Sequence, residues 1–505
     1  MNKILEQLGI DYLLVNSTNK YLVEYSSLSE NARYTLTGFS GSTGDALVTK
    51  DNIYLFVDGR YHIQADMEAK EGVTVIKLQL GQKQDDEIRK LINPEKILGI
   101  VGKKVSQKRL EGFNGYKIKL LDKDPINDYT EPHNGIWEKA FEPVEYVSAP
   151  TFVSNLEEVS YITGLRDFSQ DNSSKIWAKA GVNTGGENKG VNKKDKFILF
   201  KTDEECDEFL KNYDKELIVD KSTINAHDFS LIKHPLHKDS GIKQMKSVKS
   251  EAELEAYKKA FERTDKAVFA IREFIENNDN LSEYDITEQL RKEFIKYGAK
   301  TQSFNSIVAI NQNSALAHYS KCSKDVILKE GDLVLIDCGA YYESGLATDI
   351  TRVFVKGKPS ILQKIVYTTV LKTFLNCFNY PVNKNTTGFD IDTLAHDLSD
   401  NTIEGFKFNH GLGHGIGINV HEAPPNLSQN EIAQGVNGII KNGMCFTIEP
   451  GLYNGEHFGV RLENSCYMKD GKIRSFVKMG YEGKLIDSDM LTEQEQNWLK
   501  EFTVL

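Results

Sequence analysis

The stretch that decides the fold is His410-Gly-Leu-Gly-His414-Gly-Ile-Gly-Ile-Asn-Val-His421-Glu. It places three histidines within twelve residues, and the glycines among them let the backbone approach a site closely. Histidine is the commonest neutral metal ligand and also a natural acid or base near neutral pH. A lone HxxxH pair is a weak signal that is more often structural. The stretch therefore predicts a functional site only together with other polar groups in the chain.

Four more stretches of the C-terminal half place acids inside apolar, strand-forming runs. A buried carboxylate costs several kcal/mol unless it is paired or binds a metal, so these acids need an explanation. The stretches are Asp332-Leu-Val-Leu-Ile-Asp337-Cys, Thr348-Asp349-Ile-Thr-Arg-Val-Phe354, Phe446-Thr-Ile-Glu449-Pro-Gly-Leu-Tyr and Gly459-Val-Arg461-Leu-Glu463-Asn.

The order of these acids predicts two antiparallel strand pairs. Gly345 lies between the first two runs and favours a reversal, which would bring Asp337 and Asp349 together. Glycines also lie between Glu449 and Glu463, and they favour a second hairpin in which these two acids face each other.

Four carboxylates and one imidazole form a hard, oxygen-rich ligand set that suits Mn²⁺, Co²⁺, Fe²⁺ or Zn²⁺. The acids outnumber what one ion needs, which favours two ions about 3.5–4 Å apart that share bridging carboxylates. Such a pair lowers the pKa of a water molecule and polarises a carbonyl group. We interpret the set as the metal ligands of a hydrolase, although any single acid could be a paired core residue. The ligands are Asp337, Asp349, His414, Glu449 and Glu463.

The composition is that of a large globular protein with more than one domain. The chain has 505 residues, of which 40% are hydrophobic and 27% charged. A net charge of −11 without a basic block argues against nucleic acid as a partner. No run approaches the ~20 apolar residues of a membrane span, and acids interrupt the first apolar run. Six scattered cysteines without a CxxC pair favour reduced thiols and a cytoplasmic location.

The pattern of runs predicts an α/β protein with three domains. Residues 1–140 and 141–242 each alternate apolar strands with charged helical stretches, which indicates two related α/β domains. A Gly/Asn/Lys-rich loop at 181–195 interrupts the second, and we assign it no function. A capped helix start at Ser250-Glu-Ala-Glu follows the main boundary, so residues 243–505 form the third domain.

Taken in this order, the motifs resemble those of the pitta-bread metallopeptidases, which include methionine aminopeptidases, prolidases and Xaa-Pro aminopeptidases. The resemblance is greatest to the long cytosolic type of Xaa-Pro aminopeptidase, and it covers nearly the whole chain. The most specific block is the C-terminal tail, from Leu485 to Leu499, because shorter relatives lack it. The further matching blocks are Gly38-Phe-Ser-Gly-Ser-Thr-Gly, Val57-Asp-Gly-Arg-Tyr61, Ser303-Phe-Asn-Ser-Ile, Leu316-Ala-His318-Tyr and the tail Leu485-Ile-Asp through Trp498-Leu499.

The resemblance implies a creatinase-like N-terminal domain, a second domain of similar type and a C-terminal pitta-bread domain. It implies a homodimer that releases the N-terminal residue of peptides with proline in second position. A hydroxide held between two metal ions would attack the carbonyl group of the peptide bond. Glu449 would transfer the proton of the water molecule from which this hydroxide forms. The ions are expected to be Mn²⁺, with Zn²⁺ or Co²⁺ as alternatives.

The resemblance also implies the residues that contact the substrate. His318 and His421 match positions that touch the peptide and stabilise the tetrahedral intermediate. His410, Val420 and Arg461 match positions that line or brace the proline pocket, and we count Arg461 among the catalytic residues.

Two alternatives stay open at this point. A prolidase would cleave only Xaa-Pro dipeptides on the same scaffold, and non-catalytic relatives keep the fold but lose metal ligands. All five ligand positions are filled here, which favours catalysis.

Overall fold

A computed structural model describes residues 2–24, 26–79, 81–145, 149–184, 197–319, 321–430 and 433–505. In this part of the chain, no helix is both long and apolar enough to cross a membrane. The described residues form helices and strands throughout, so the mixed α/β class is confirmed. The Gly/Asn/Lys-rich loop lies outside the described residues from position 185 onward.

The helices are α1 (Asn2–Leu8), α2 (Ala32–Thr37), α3 (His62–Glu68), α4 (Gln84–Leu91), α5 (Gln107–Glu111), α6 (Leu156–Thr163), α7 (Asp203–Asn212), α8 (Ala226–Leu231), α9 (Ile242–Ser247), α10 (Glu251–Asn277), α11 (Glu283–Lys296), α12 (Ile361–Phe378), α13 (Gly388–Ser399), α14 (Gly435–Gly438) and α15 (Glu493–Leu499).

The strands are β1 (Tyr12–Val15), β2 (Ala46–Val48), β3 (Ile53–Val57), β4 (Val73–Lys77), β5 (Ile97–Val101), β6 (Lys117–Leu121), β7 (Glu138–Lys139), β8 (Thr151–Val153), β9 (Leu165–Arg166), β10 (Lys179–Val182), β11 (Phe197–Phe200), β12 (Leu217–Val219), β13 (Pro235–His237), β14 (Thr301–Gln302), β15 (Ile307–Ile310), β16 (Leu333–Cys338), β17 (Ala340–Tyr341), β18 (Ile350–Val355), β19 (Gly413–His414), β20 (Asn426–Leu427), β21 (Cys445–Ile448), β22 (Gly451–Tyr453), β23 (Gly459–Arg461), β24 (Asn464–Lys469) and β25 (Lys472–Ser475).

The chain divides into two compact units. The first contains residues 1–134, 142–165 and 176–242, and the second contains residues 135–141, 166–175 and 243–505. The three-domain division with boundaries at 140 and 242 stays a prediction. The structure adds that two short segments, 135–141 and 166–175, pack with the second unit although they precede its main part in the chain.

The first unit holds two sheets with the same strand pattern. One has the order β4-β3-β2-β1-β5-β6, and the other has the order β11-β10-β8-β12-β13. In each, one central strand pairs antiparallel with the next strand of its sheet and parallel with a later one. The second sheet therefore repeats the first without a counterpart of β4, which agrees with the two related α/β patterns in the sequence.

The second unit begins with the long helix α10, which starts where the sequence predicts. The Ser250 hydroxyl accepts a hydrogen bond from the Glu253 amide, and the Glu253 carboxylate accepts one from the Ser250 amide. This capping box satisfies two amides that a helix start leaves without partners. Leu254, Tyr257 and Phe261 lie on the buried side of the helix.

The core of the second unit packs helix α12 against the strands that carry the proposed ligands. Val366, Val370 and Phe374 of α12 belong to one buried cluster with Val353 of β18 and Leu462 beside β23. Burying each such side chain contributes about 1.5–3 kcal/mol to the stability of the fold. The packing against α12 therefore stabilises the strands that carry the proposed ligands. The acids at the strand ends therefore have a rigid support.

Candidate metal centre

Asp337 and Asp349 lie on neighbouring antiparallel strands, as the sequence predicts. Strands β16 and β18 pair with Asp337 opposite Thr351, and Asp349 directly precedes β18. The predicted reversal lies between them at Gly345, whose φ of 63° is unfavourable for other residues.

Glu449 and Glu463 also face each other. Strand β21 pairs with β24 at Ile448 and Asn464, and β22 pairs with β23 at Gly451 and Arg461. The two ladders share one register, so Glu449 lies opposite Glu463 in the gap between them. The predicted facing acids are thus found at the expected place.

His414 reaches the same place from strand β19. The Glu449 amide donates to the Leu412 carbonyl at 2.8 Å, and the His414 amide donates to the Thr447 hydroxyl at 3.1 Å. A side chain at Gly413 would place its Cβ 2.1 Å from the Thr447 carbonyl oxygen. Only glycine permits this close approach, which explains one of the glycines in the histidine stretch.

The five predicted ligands come together. One ligand atom each of Asp349, His414 and Glu463 lie within 4.8 Å of one another. The His414 Nε2 atom is 3.6 Å from Asp349 Oδ2 and 3.4 Å from Glu449 Oε1. Asp337 joins the group through Arg461, which contacts both Asp337 and Glu449.

Arg461 connects the acids to a tyrosine that the sequence analysis did not single out. Its guanidinium donates to Asp337 Oδ2 at 2.6 Å and to the Tyr453 hydroxyl at 2.9 Å, and its Nε donates to Thr351 at 3.2 Å. The Tyr453 hydroxyl also lies 2.8 Å from His410 Nε2. Tyr453 therefore links His410 to Arg461. A signal existed, since Tyr453 follows Glu449 in a strand expected to pair with the strand of Arg461.

The electrostatics of the cluster fit bound cations. Burial, followed by the charges of Glu463 and Asp337, raises the pKa of Asp349 well above its usual value. Burial also raises the pKa of Glu449 to about 7 and that of Glu463 well above its usual value. Four acids so close together repel one another unless positive charge lies among them.

The hydrogen bonding of the cluster points the same way. Asp337 Oδ1 and Glu463 Oε1 are buried and accept no hydrogen bond from the described residues. The other oxygen of Glu463 accepts from the Thr351 hydroxyl at 2.8 Å, which fixes the carboxylate. Oriented oxygens without a donor, next to one imidazole, are a ligand set for hard divalent ions.

Of the predicted substrate residues, Arg461 lies in β23, and the others lie on loops of the same unit. The His421 ring is 4.4 Å from the His414 ring, centroid to centroid, and Val420 is buried beside it in the chain. His410 stands next to Tyr453, as described above. His318 is partly buried and follows a short turn at 311–315. That turn packs on β23, where the Gly459 amide donates to the Ser314 hydroxyl at 2.8 Å.

Comparison with known protein families identifies the domain that contains this cluster. Residues 255–470 match the model of metallopeptidase family M24. The chain carries an M24 metallopeptidase domain. Residues 1–124 of this metallopeptidase match the creatinase/prolidase N-terminal domain, as the sequence blocks predict. The chain is thus a hydrolase, and the cluster lies within the part that matches the peptidase family.

Relatives match this metallopeptidase over nearly its whole length. Xaa-Pro aminopeptidase 1 of Dictyostelium discoideum is 28% identical, covering 97% of this chain and 88% of that protein. A probable Xaa-Pro aminopeptidase P of Coprinopsis cinerea is 26% identical, covering 99% and 93%. The sequence resemblance is confirmed.

A solved structure confirms the fold. The X-prolyl aminopeptidase of Caenorhabditis elegans, described as a cytosolic enzyme with a di-nuclear active site, superposes with a TM-score of 0.83. It is 20% identical, and the match covers 97% of this chain and 90% of that chain. The expected arrangement of a creatinase-like N-terminal domain before a pitta-bread domain is therefore correct.

Proposed function

We propose that this metallopeptidase is an aminopeptidase that removes the N-terminal residue from peptides with proline in second position. The observation that carries the proposal is the cluster of Asp349, His414 and Glu463, joined by Glu449 and Asp337, in a chain that Xaa-Pro aminopeptidases match almost end to end. A non-catalytic binding protein does not need five such residues converging on one place.

The cluster would hold two divalent ions, which we propose to be Mn²⁺, with Zn²⁺ or Co²⁺ as the alternatives. Bound there, the ions would polarise a peptide carbonyl and make a water molecule more acidic. The ligands are Asp337, Asp349, His414, Glu449 and Glu463, with Thr351 orienting Glu463.

The other groups of the site act on the peptide itself. Glu449 accepts the proton of the attacking water, because burial raises its pKa to about 7, close to the pH at which a general base works best. His421 and His318 donate hydrogen bonds to the negative charge that develops on the carbonyl oxygen. His410, Val420 and Arg461 shape the proline pocket, where a peptide bond to proline offers no N–H.

We further propose a cytoplasmic homodimer. The solved relative is described as cytosolic, which supports the location. The dimer follows from the sequence resemblance.

A substrate comparison tests the proposed specificity. We expect Arg-Pro-Pro to release free arginine and Arg-Ala-Pro to be cleaved at least about 100-fold more slowly, because a fitted pocket discriminates by shape. Release of arginine is measured by chromatography with Mn²⁺ present. Cleavage of Xaa-Pro dipeptides without cleavage of the tripeptide would identify a prolidase instead. Cleavage of neither would leave the aminopeptidase proposal without support.

Replacing Tyr453 by phenylalanine tests the link between His410 and Arg461. We expect kcat/KM to fall about thirtyfold, which corresponds to about 2 kcal/mol, because a buried bond to a charged group is lost and Arg461 holds Asp337 less firmly. The matched control is Tyr467→Phe on β24, where the side chain is half-exposed. Equal activity of both variants would remove Tyr453 from the site.

A further inference from the structure

Glu283 is a buried acid that lies in the first turn of helix α11 and binds a remote segment. Its side chain is fully buried. Oε1 accepts from the Ile310 amide and from the Asn313 side chain, both at 2.8 Å. Oε2 accepts from the Tyr319 hydroxyl at 2.7 Å and from the Ser323 amide at 3.0 Å. One carboxylate thus satisfies four donors.

The four donors lie on both sides of His318 in the chain. Ile310 and Asn313 precede it, Tyr319 follows it directly, and Ser323 lies shortly after. Asn313 also donates to the Tyr319 hydroxyl at 3.1 Å, which joins the two sides to each other. The backbone on each side of His318 is therefore fixed to the same two oxygen atoms.

The helix itself does not require the Glu283 side chain. The start of α11 is closed by a capping box between Ser282 and Asp285, whose side chains and amides bond reciprocally. An acid in the first turn usually interacts with the helix dipole from an exposed position. Glu283 is buried instead, where a carboxylate is stable only with a full set of donors. All four of its donors lie between positions 310 and 323 of the chain, on both sides of His318.

Tyr319 connects this acid to the residue next to it in the chain, His318. Its ring is buried, and it belongs to the main core of the unit. Burial, together with the hydrogen bond to Glu283, raises the pKa of the Tyr319 hydroxyl, so that it stays protonated and donates. Because the ring and the hydroxyl of Tyr319 are both held, its backbone is fixed as well. This restrains the position of the preceding residue, His318.

We propose that Glu283 and Tyr319 are positioning residues that hold His318 in place for catalysis. This inference rests on the proposed function, in which His318 contacts the peptide. A shift of about 1 Å in a catalytic group costs up to about 100-fold in rate. We therefore expect Tyr319→Phe to lower kcat about tenfold and Glu283→Gln about 100-fold, with KM changed less than kcat.

A double-mutant cycle on Arg-Pro-Pro tests whether Tyr319 acts through His318. We expect Tyr319→Phe to lower kcat about tenfold in the natural chain and to have no further effect in His318→Ala, because the residue that it positions is then absent. An equal tenfold loss in both backgrounds would mean a general structural role and would overturn the inference. No loss in the natural chain would overturn it as well.

A second measurement does not depend on activity. In protein labelled at the histidine ring carbons, the resonance that disappears in His318→Ala identifies His318. We expect that resonance to move or broaden in Tyr319→Phe and Glu283→Gln. The control is Tyr367→Phe in α12, which removes a buried hydroxyl that accepts from the Glu482 amide. An unchanged His318 resonance in both test variants would overturn the positioning role even if the proposed substrate proves wrong.

Discussion

The variant Glu449→Ala is expected to lose about a thousandfold or more in kcat, while its fold is kept and the melting temperature of the metal-free protein changes little. Proton transfer by a placed side chain contributes about 10²–10⁴-fold to a rate. Glu449 lies 3.4 Å from the His414 ring and within 4.0 Å of Arg461, so its loss also removes one proposed ligand. Removing an acid from a crowded group relieves repulsion, and for this reason we expect no loss of stability in the metal-free protein.

The measurement is steady-state hydrolysis of Arg-Pro-Pro with Mn²⁺ in excess, beside a thermal unfolding curve of the metal-free protein. The matched control is Glu456→Ala, an exposed acid in the turn between β22 and β23. The control should keep full activity. If Glu449→Ala retains more than about a tenth of the activity, Glu449 does not handle the proton.

The sequence was sufficient to predict that the four acids come together, because each acid carried a local signal. Asp337 and Asp349 are acids in apolar runs separated by a glycine reversal, and strand pairing did the rest. Glu449 and Glu463 follow the same logic, since one register places them opposite each other. Burial and alternation thus decide these positions from short-range patterns alone.

Other parts of the site depend on long-range packing that short patterns do not contain. For Tyr453, the local hairpin of β22 and β23 brings the hydroxyl to Arg461, but the contact with His410 comes from a distant part of the chain. In the sequence, Glu283 resembles any acid in the first turn of a helix. Its four hydrogen-bond donors come from a distant segment of the chain. The segment 166–175 belongs to the second unit through packing alone, although it lies among residues of the first.

Glu463→Gln is expected to lower the bound Mn²⁺ from about two ions per chain to fewer than about one. Glu463 is oriented by Thr351, and its second oxygen is buried and accepts no hydrogen bond from the described residues. It lies close to Asp349 and His414, and the charges of Glu449 and Asp337 also act on it. We propose that an acid so close to the four other ligands is the one that two ions would share, so its loss should affect the binding of both.

The measurement combines metal analysis with thermal unfolding. We expect about two ions per chain in the natural protein after dialysis against Mn²⁺, and fewer than about one in Glu463→Gln, as the shared ligand is missing. For the natural protein, Mn²⁺ at about 100 times its Kd adds about 2.7 kcal/mol to the free energy of unfolding. The variant should not show this gain. Two bound ions in the variant would contradict the bridging role.

Without metal, the effect of Glu463→Gln on stability should have the opposite sign. This difference distinguishes a metal ligand from a structural acid. Without ions, Glu463 is one of several buried acids that repel one another, so Glu463→Gln should be at least as stable as the metal-free natural protein. The matched control is Glu482→Gln, a buried acid that contacts Arg272 outside the cluster. That change should lower stability equally with and without Mn²⁺. A structural acid at 463 would behave like Glu482, whereas a metal ligand stabilises the fold only when its ion is bound.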